Sequence, residues 1–400
     1  MKIKFLLTLT TILIAISCDS QESTVWRNGT DGIYTESGLL NVWPDDGPEI
    51  VWLYEELGQG HSSPVVAGDY IYTSGMTDGT GFLFKFDLEG NLVYKKAYGP
   101  EYKESYYGPR GTPVITGDKV YLMSGYGKLY CIKEVNAEKI WTVDMVKDLG
   151  GDTITWGYNE TPVVDGEIIY ATPGGKNNVV ALNRFTGELI WSSPGKGELT
   201  AYCTPLLFKH NGRKILATHT ESHLLGIDAA TGKLLWSQYH PNQHSIHANT
   251  PIYREGGLFF FSGYGQGSGR LNLSEDGSNI QLAWNNPFDN RIGGAVFLNG
   301  YIYGSGDKER DWRCIDWETG KDMYTSSEVG KGVVIAADGK LFGYSERGEL
   351  ALINATPDKF DLVSKTRVTH GSEQHWAHPV IHDGTLYLRH GKVLIAYKVK

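Results

Sequence analysis

Cysteine is scarce: four residues in 400 cannot supply the disulfide framework of a small stapled fold. Positive charge is in deficit, with 37 Lys and Arg against 46 Asp and Glu and a formal net charge of −9. That balance argues against nucleic-acid binding, whose affinity comes from clustered Lys and Arg meeting phosphates. Membrane-length apolar runs are missing too. The apolar stretch at residues 5–16 is twelve long, against the ~20 that a spanning helix needs. Proline is modest at 15, while glycine reaches 50 and the aromatics make up 12%. Glycine weakens helix interiors, and disordered chains are poor in aromatics. What remains is an all-β chain of many short strands joined by glycine turns.

The first residues carry an export pattern. Lys2 and Lys4 precede the short apolar stretch, which ends in Ala15-Ile16-Ser17-Cys18. Small residues leading into a cysteine resemble the bacterial lipobox. Residues 1–17 are therefore expected to be a signal peptide, Cys18 the lipidated first residue of the mature chain, and residues 18–24 a short tether. The expected location is the bacterial cell envelope, as a lipoprotein of the outer membrane facing the periplasm or the surface.

The rest of the chain is repetitive. A Thr-Pro-apolar-apolar-x-Gly motif recurs with its proline position at 64, 113, 162, 205, 251, 295, 333 and 379, in steps of 38 to 49 residues. Each unit reads as four short β-rich runs. The third and fourth runs are joined by turns such as Asn183-Arg-Phe-Thr-Gly187 and Asp228-Ala-Ala-Thr-Gly232. A large ring closes the unit at Tyr94, Trp141, Trp191, Trp236, Trp284 and Tyr324, suited to filling the wedge between neighbouring sheets. Four strands per unit at this period is the signature of a β-propeller. The eighth unit ends without a fourth strand, and the segment around Trp52 supplies a spare one. The sequence thus predicts a single domain over residues 25–400. It is an eight-bladed β-propeller of four-stranded antiparallel blades, closed by the N-terminal strand near Trp52 and monomeric. Cys131 and Cys314 fall at equivalent third-strand positions and read as small core residues.

These turns, with Gly108-Pro-Arg-Gly-Thr-Pro113 and Trp156-Gly-Tyr-Asn-Glu-Thr-Pro162, resemble the pyrroloquinoline-quinone-like (PQQ-like) propeller repeat family. The resemblance runs from Trp26 to the end of the chain. One branch of that family comprises quinoprotein dehydrogenases, which hold the quinone and a calcium ion in the central funnel and use an aspartate base. Many also carry an adjacent cysteine pair or a haem-attachment motif, and this chain has neither. The other branch comprises cofactor-free lipoproteins, including the outer-membrane β-barrel assembly factor, which use the propeller as a binding surface. The lipobox and the chain length fit the second branch better.

In a propeller, the loops leading into the innermost strands gather at one mouth. Those loops carry His61, Arg110, Trp156, Asn159, Glu160, Tyr202, His247, Asn249, Arg291, Lys331, His375, Trp376 and His378, with Cys203 in the same ring. Three fixed cations and several aromatics against one acid, with Glu373 nearby, imply a basic, aromatic mouth suited to an anionic small molecule or acidic sugar. A protein partner would use the same face. No catalytic residue is assigned. His240, His244 and His247 share a loop, but Pro241 rules out the helical spacing of a zinc pair, and no metal ligands are assigned. The alternative function is PQQ-dependent oxidation of an alcohol or sugar. In that reading Arg110 or Lys331 approaches the quinone carbonyls, and Glu160, Asn159 and Asn249 serve calcium.

Overall fold

The computed structural model describes Thr24 and residues 26–400. The proposed signal peptide and the lipidation site Cys18 lie outside the described residues. Within them, 32 of the strands form eight four-stranded antiparallel sheets, the blades of a propeller. Blade one begins with Val65–Ala67 and blade two with Val114–Thr116. Blades three, four and five begin with Val163–Asp165, Leu206–His210 and Ile252–Arg254. Blades six, seven and eight begin with Ala295–Leu298, Gly332–Ala337 and Val380–His382. Each innermost strand follows one of the repeated Pro-apolar motifs, so the sequence period and the blade period coincide.

The ring closes as predicted. Ile50–Tyr54 pairs antiparallel with Val393–Lys398, with Trp52 opposite Ala396, and becomes the outer strand of blade eight. The outer edge of Val393–Lys398 is thereby paired, and blade eight reaches four strands.

The repeated turn and the repeated ring turn out to be two halves of one contact. Trp141 of blade two donates its indole N–H to the Arg184 carbonyl of blade three at 3.0 Å. Trp191 does the same to Ala229 of blade four, Trp284 to Trp317 of blade six, and Trp52 to Leu88 of blade one. Each indole lies over the glycine that ends the neighbouring turn. A Cβ at Gly232 would come within 2.6 Å of Trp191, and one at Gly320 within 2.4 Å of Trp284. These glycines also have φ near +70°, where L-residues are strained, so the position is doubly restricted. Where the ring is the smaller Tyr94, its hydroxyl donates to the Glu134 carbonyl, and the turn carries Ala137 instead. The core follows from the same geometry, because apolar side chains from facing blades interleave in clusters that bridge adjacent sheets.

One feature was not legible in the repeats. The two-residue strand Ile33–Tyr34 lies parallel to Gly332–Ala337, the innermost strand of blade seven, and makes that sheet five-stranded. Across the channel, Thr24 forms an antiparallel bridge with Ile115 on the innermost strand of blade two. The N-terminal segment of the domain therefore runs inside the central channel and not along the outside of the ring.

Candidate functional site

The loops entering the innermost strands converge on a cavity of about 280 Å³ at one end of the channel. Of the thirteen residues expected at the mouth, eight line it: His61, Arg110, Trp156, Asn159, Tyr202, Arg291, Trp376 and His378. The wall is largely aromatic. Tyr106 sits 4.9 Å from Trp376 and 5.9 Å from Trp156, ring centre to ring centre, while His61 packs 4.9 Å from Trp376. Trp26, Tyr106, His244 and Tyr264 also line the cavity, and none was in the predicted set.

Five expected residues do not face the cavity. Glu160 is buried and turned away: its carboxylate accepts from the Thr172 backbone N–H at 3.0 Å and from the Thr172 hydroxyl. Burial pushes its acid up to about 7. Asn249 lies beneath the cavity and donates to the Phe261 and Asn290 carbonyls. His375 is occupied by the Tyr344 hydroxyl and stacks on His390 at 3.7 Å. Lys331 lines a smaller adjoining cleft.

His247 belongs to a buried trio with His219 and His240, whose ring centres are 5.0 to 6.0 Å apart. Both ring nitrogens of His219, Nε2 of His240 and Nδ1 of His247 lack a protein partner. Burial lowers the pKa of His240 and of His247 to about 4, so these rings are neutral at pH 7. Cys203 is buried among the same elements, with its thiol pushed up to about 12 by desolvation. That thiol is inert as a nucleophile at neutral pH.

The expected positive charge of the mouth is reduced by two acids that the sequence reading missed. Arg291 donates to Glu346 at 2.6 Å, and its Nε lies 3.7 Å from Asp307. Lys331 pairs with Asp307 and, at 3.2 Å, with Glu346. Two cations and two carboxylates leave this side with no net charge. Arg110 is different, because among the described residues no carboxylate lies within ion-pair distance of it. It donates to the carbonyls of Ser105 and Tyr106 at 2.7 and 2.8 Å, and its guanidinium rests over the Tyr102 ring at 4.8 Å. The nearby buried Glu101 is held by the Tyr98 hydroxyl and by the Tyr102 and Gly125 backbone N–H groups.

The calcium set considered for a quinoprotein does not assemble as a ligand shell. Glu160 is committed to Thr172, Asn249 is directed under the floor, and only Asn159 faces the cavity. No group of three or more His, Cys, Asp or Glu among the described residues is disposed to hold a metal ion. The three donors considered for calcium are thus not gathered around one point of the cavity.

Residues 85–326 match the PQQ-like family described as outer membrane protein assembly factor BamB. The chain belongs to that family. Outer membrane protein assembly factor BamB of Shewanella oneidensis is 24% identical over 213 residues, a stretch covering 50% of this chain and 49% of the relative. The chain thus spans about half the length of that curated relative. Among solved structures, BamB from Moraxella catarrhalis superposes with a TM-score of 0.64 at 11% identity, covering 88% of this chain and 99% of that one. A europium-containing methanol dehydrogenase gives 0.69 at 12% identity, covering 93% and 91%. At such identities the likeness extends to the fold alone. The same fold thus serves a protein named for assembly and a protein named for catalysis, so function does not follow from the fold.

Proposed function

We propose that this chain is a non-catalytic envelope lipoprotein, anchored through Cys18, whose mouth cavity binds a small ring-shaped ligand bearing a carboxylate, such as an acidic sugar. The aromatic cavity beside Arg110 carries this reading. A volume of about 280 Å³ suits a mono- or disaccharide-sized ligand. Tyr106, Trp156 and Trp376 offer faces to an apolar ring surface, and Arg110, whose Nη2 is held by the Ser105 and Tyr106 carbonyls, offers its fixed positive charge to a carboxylate. Membership of the BamB-described family supports an envelope location and a propeller used as a binding scaffold, so a protein partner presenting an acidic side chain is the second reading. Quinoprotein catalysis has less support, since the calcium donors are engaged elsewhere.

The test is a thermal-shift panel on soluble protein lacking residues 1–18. One arm contains glucuronate or galacturonate, a second the matching neutral sugars, and a third the quinone with calcium. A hundredfold excess over Kd stabilises by about 2.7 kcal/mol. A shift with the acidic sugars and none with the neutral ones supports the proposal. A shift confined to quinone and calcium, with dye-linked alcohol oxidation, replaces it with the dehydrogenase reading.

A further inference from the structure

The channel has two ends, and the chain closes one of them itself. Thr112 lines the mouth cavity and precedes Val114–Thr116, so that innermost strand runs from the mouth toward the far face. Thr24 pairs antiparallel with Ile115, exchanging N–H···O bonds of 2.9 and 3.1 Å, and so travels up the channel toward the mouth. The backbone then reverses. Arg27, Asn28, Gly29, Thr30 and Gly32 all have positive φ, and the Thr30 and Gly32 N–H groups donate back to the Trp26 and Arg27 carbonyls. The segment returns as Ile33–Tyr34, parallel to Gly332–Ala337 and beside its far end, Ala336 and Ala337. Asp31 meets Arg254 at 3.1 Å, where the innermost strand of blade five ends.

The reversal is pinned by Arg27, which is 3% exposed. Its guanidinium donates to the carbonyls of Ala295 at 2.7 Å, Val334 at 3.2 Å and Gly293 at 3.4 Å, on two different blades. Trp26 packs edge-on to His378 at 4.9 Å and is the floor of the mouth cavity. A ligand in the cavity therefore rests on the same segment that leads back toward residue 18.

We infer that this re-entrant segment seals the channel and fixes how the anchored protein sits: far face toward the bilayer, mouth away from it. The inference rests on Cys18 being the lipid anchor. Five residues lie between Cys18 and Thr24, making six Cα-to-Cα steps, and a fully extended chain at ~3.5 Å per step covers at most ~21 Å. A domain of this length has a radius of gyration of ~21 Å, and hence a half-width of ~27 Å. A chain of that reach, starting from Thr24 beside the innermost strand of blade two, is too short to pass around the rim to the mouth side. The far face carries exposed turn acids, Asp69, Asp118, Glu167, Glu255 and Asp383, beside the exposed Lys209 and Lys214, a mixed charge that does not set the orientation by itself. The orientation is imposed by the tether.

The experiment uses the full lipidated chain in vesicles of phosphatidylcholine and phosphatidylglycerol doped with a nitroxide-labelled lipid as a short-range headgroup quencher. Asp69→Cys places a fluorophore on the far face and Tyr107→Cys places one at the mouth; Cys131, Cys203 and Cys314 are buried and remain unlabelled. Several-fold stronger quenching at position 69 is expected. Equal quenching at both positions, or stronger quenching at 107, overturns the orientation. Flotation with vesicles that persists in Cys18→Ala, or is absent in the parent protein, overturns the anchor reading beneath it. The segment's path has its own readout. Thr24→Cys with Ile115→Cys should oxidise to a disulfide, since hydrogen-bonded antiparallel pairs sit ~5.5 Å apart at Cα. Failure of the thiols to pair, in protein that retains its fold by circular dichroism, overturns the re-entry itself.

Discussion

At the scale of single residues, the aromatic clasp between blades gives the sharpest stability prediction. Gly232→Ala forces a Cβ into a left-handed backbone and against Trp191, and should cost about 2–4 kcal/mol in urea unfolding. The same substitution at Gly212, where φ is +93° but a Cβ meets nothing within 4 Å, should cost only the backbone share of about 1 kcal/mol. The histidine trio gives a pH prediction. His240 and His247 are held near 4 in the folded protein against an unfolded value of ~6.5, so their folded-state stability is full above 6.5 and falls as acid is added toward 4. The loss amounts to about 1 kcal/mol per histidine per pH unit. Glu160, raised to about 7, acts in the opposite direction over pH 7 to 4.5 and offsets one histidine. His219→Phe removes two unpartnered ring nitrogens and should flatten the acid side of the stability profile measured by denaturant unfolding between pH 7 and 5. In the mouth, Arg110→Ala should abolish discrimination between acidic and neutral sugars, while Trp156→Ala weakens both, as read by titration calorimetry.

At the scale of elements, the closing strand Ile50–Tyr54 holds the two chain ends in one sheet. Trp52→Ala removes a ring that spans blades eight and one, together with its hydrogen bond to Leu88, and should destabilise the whole domain by about 2–4 kcal/mol. Blade count, strand order and this closure were legible in the sequence because the cues are local: a turn glycine, an aromatic four residues later, a Pro-apolar start. The site was only partly legible. Pooling the loops before each innermost strand found eight of the lining residues, but second strands run back toward the mouth, so the loops after them arrive on the same face. Tyr264, Asp307 and Glu346 all follow second strands, Gly257–Ser262, Tyr301–Ser305 and Lys340–Ser345. Leaving those loops out made the mouth look more basic than it is. The re-entrant segment was not legible at all. Its strand is two residues long, and its partners at 115, 295 and 334 are distant in sequence.

At the scale of the whole molecule, an acidic ring encloses an aromatic cavity beside Arg110, a cation with no carboxylate in ion-pair contact among the described residues, and its own N-terminal segment closes the channel below. Solved proteins that share this fold carry different names, one for assembly and one for dehydrogenation, so the cavity's contents decide the function. The most direct measurement is a crystal structure of the soluble chain soaked with galacturonate. The account predicts a sugar ring between Tyr106, Trp156 and Trp376, resting above Trp26, with its carboxylate on Arg110. An empty cavity at saturating sugar, or a carboxylate bound at Arg291 and Lys331 with Asp307 and Glu346 displaced, would contradict it.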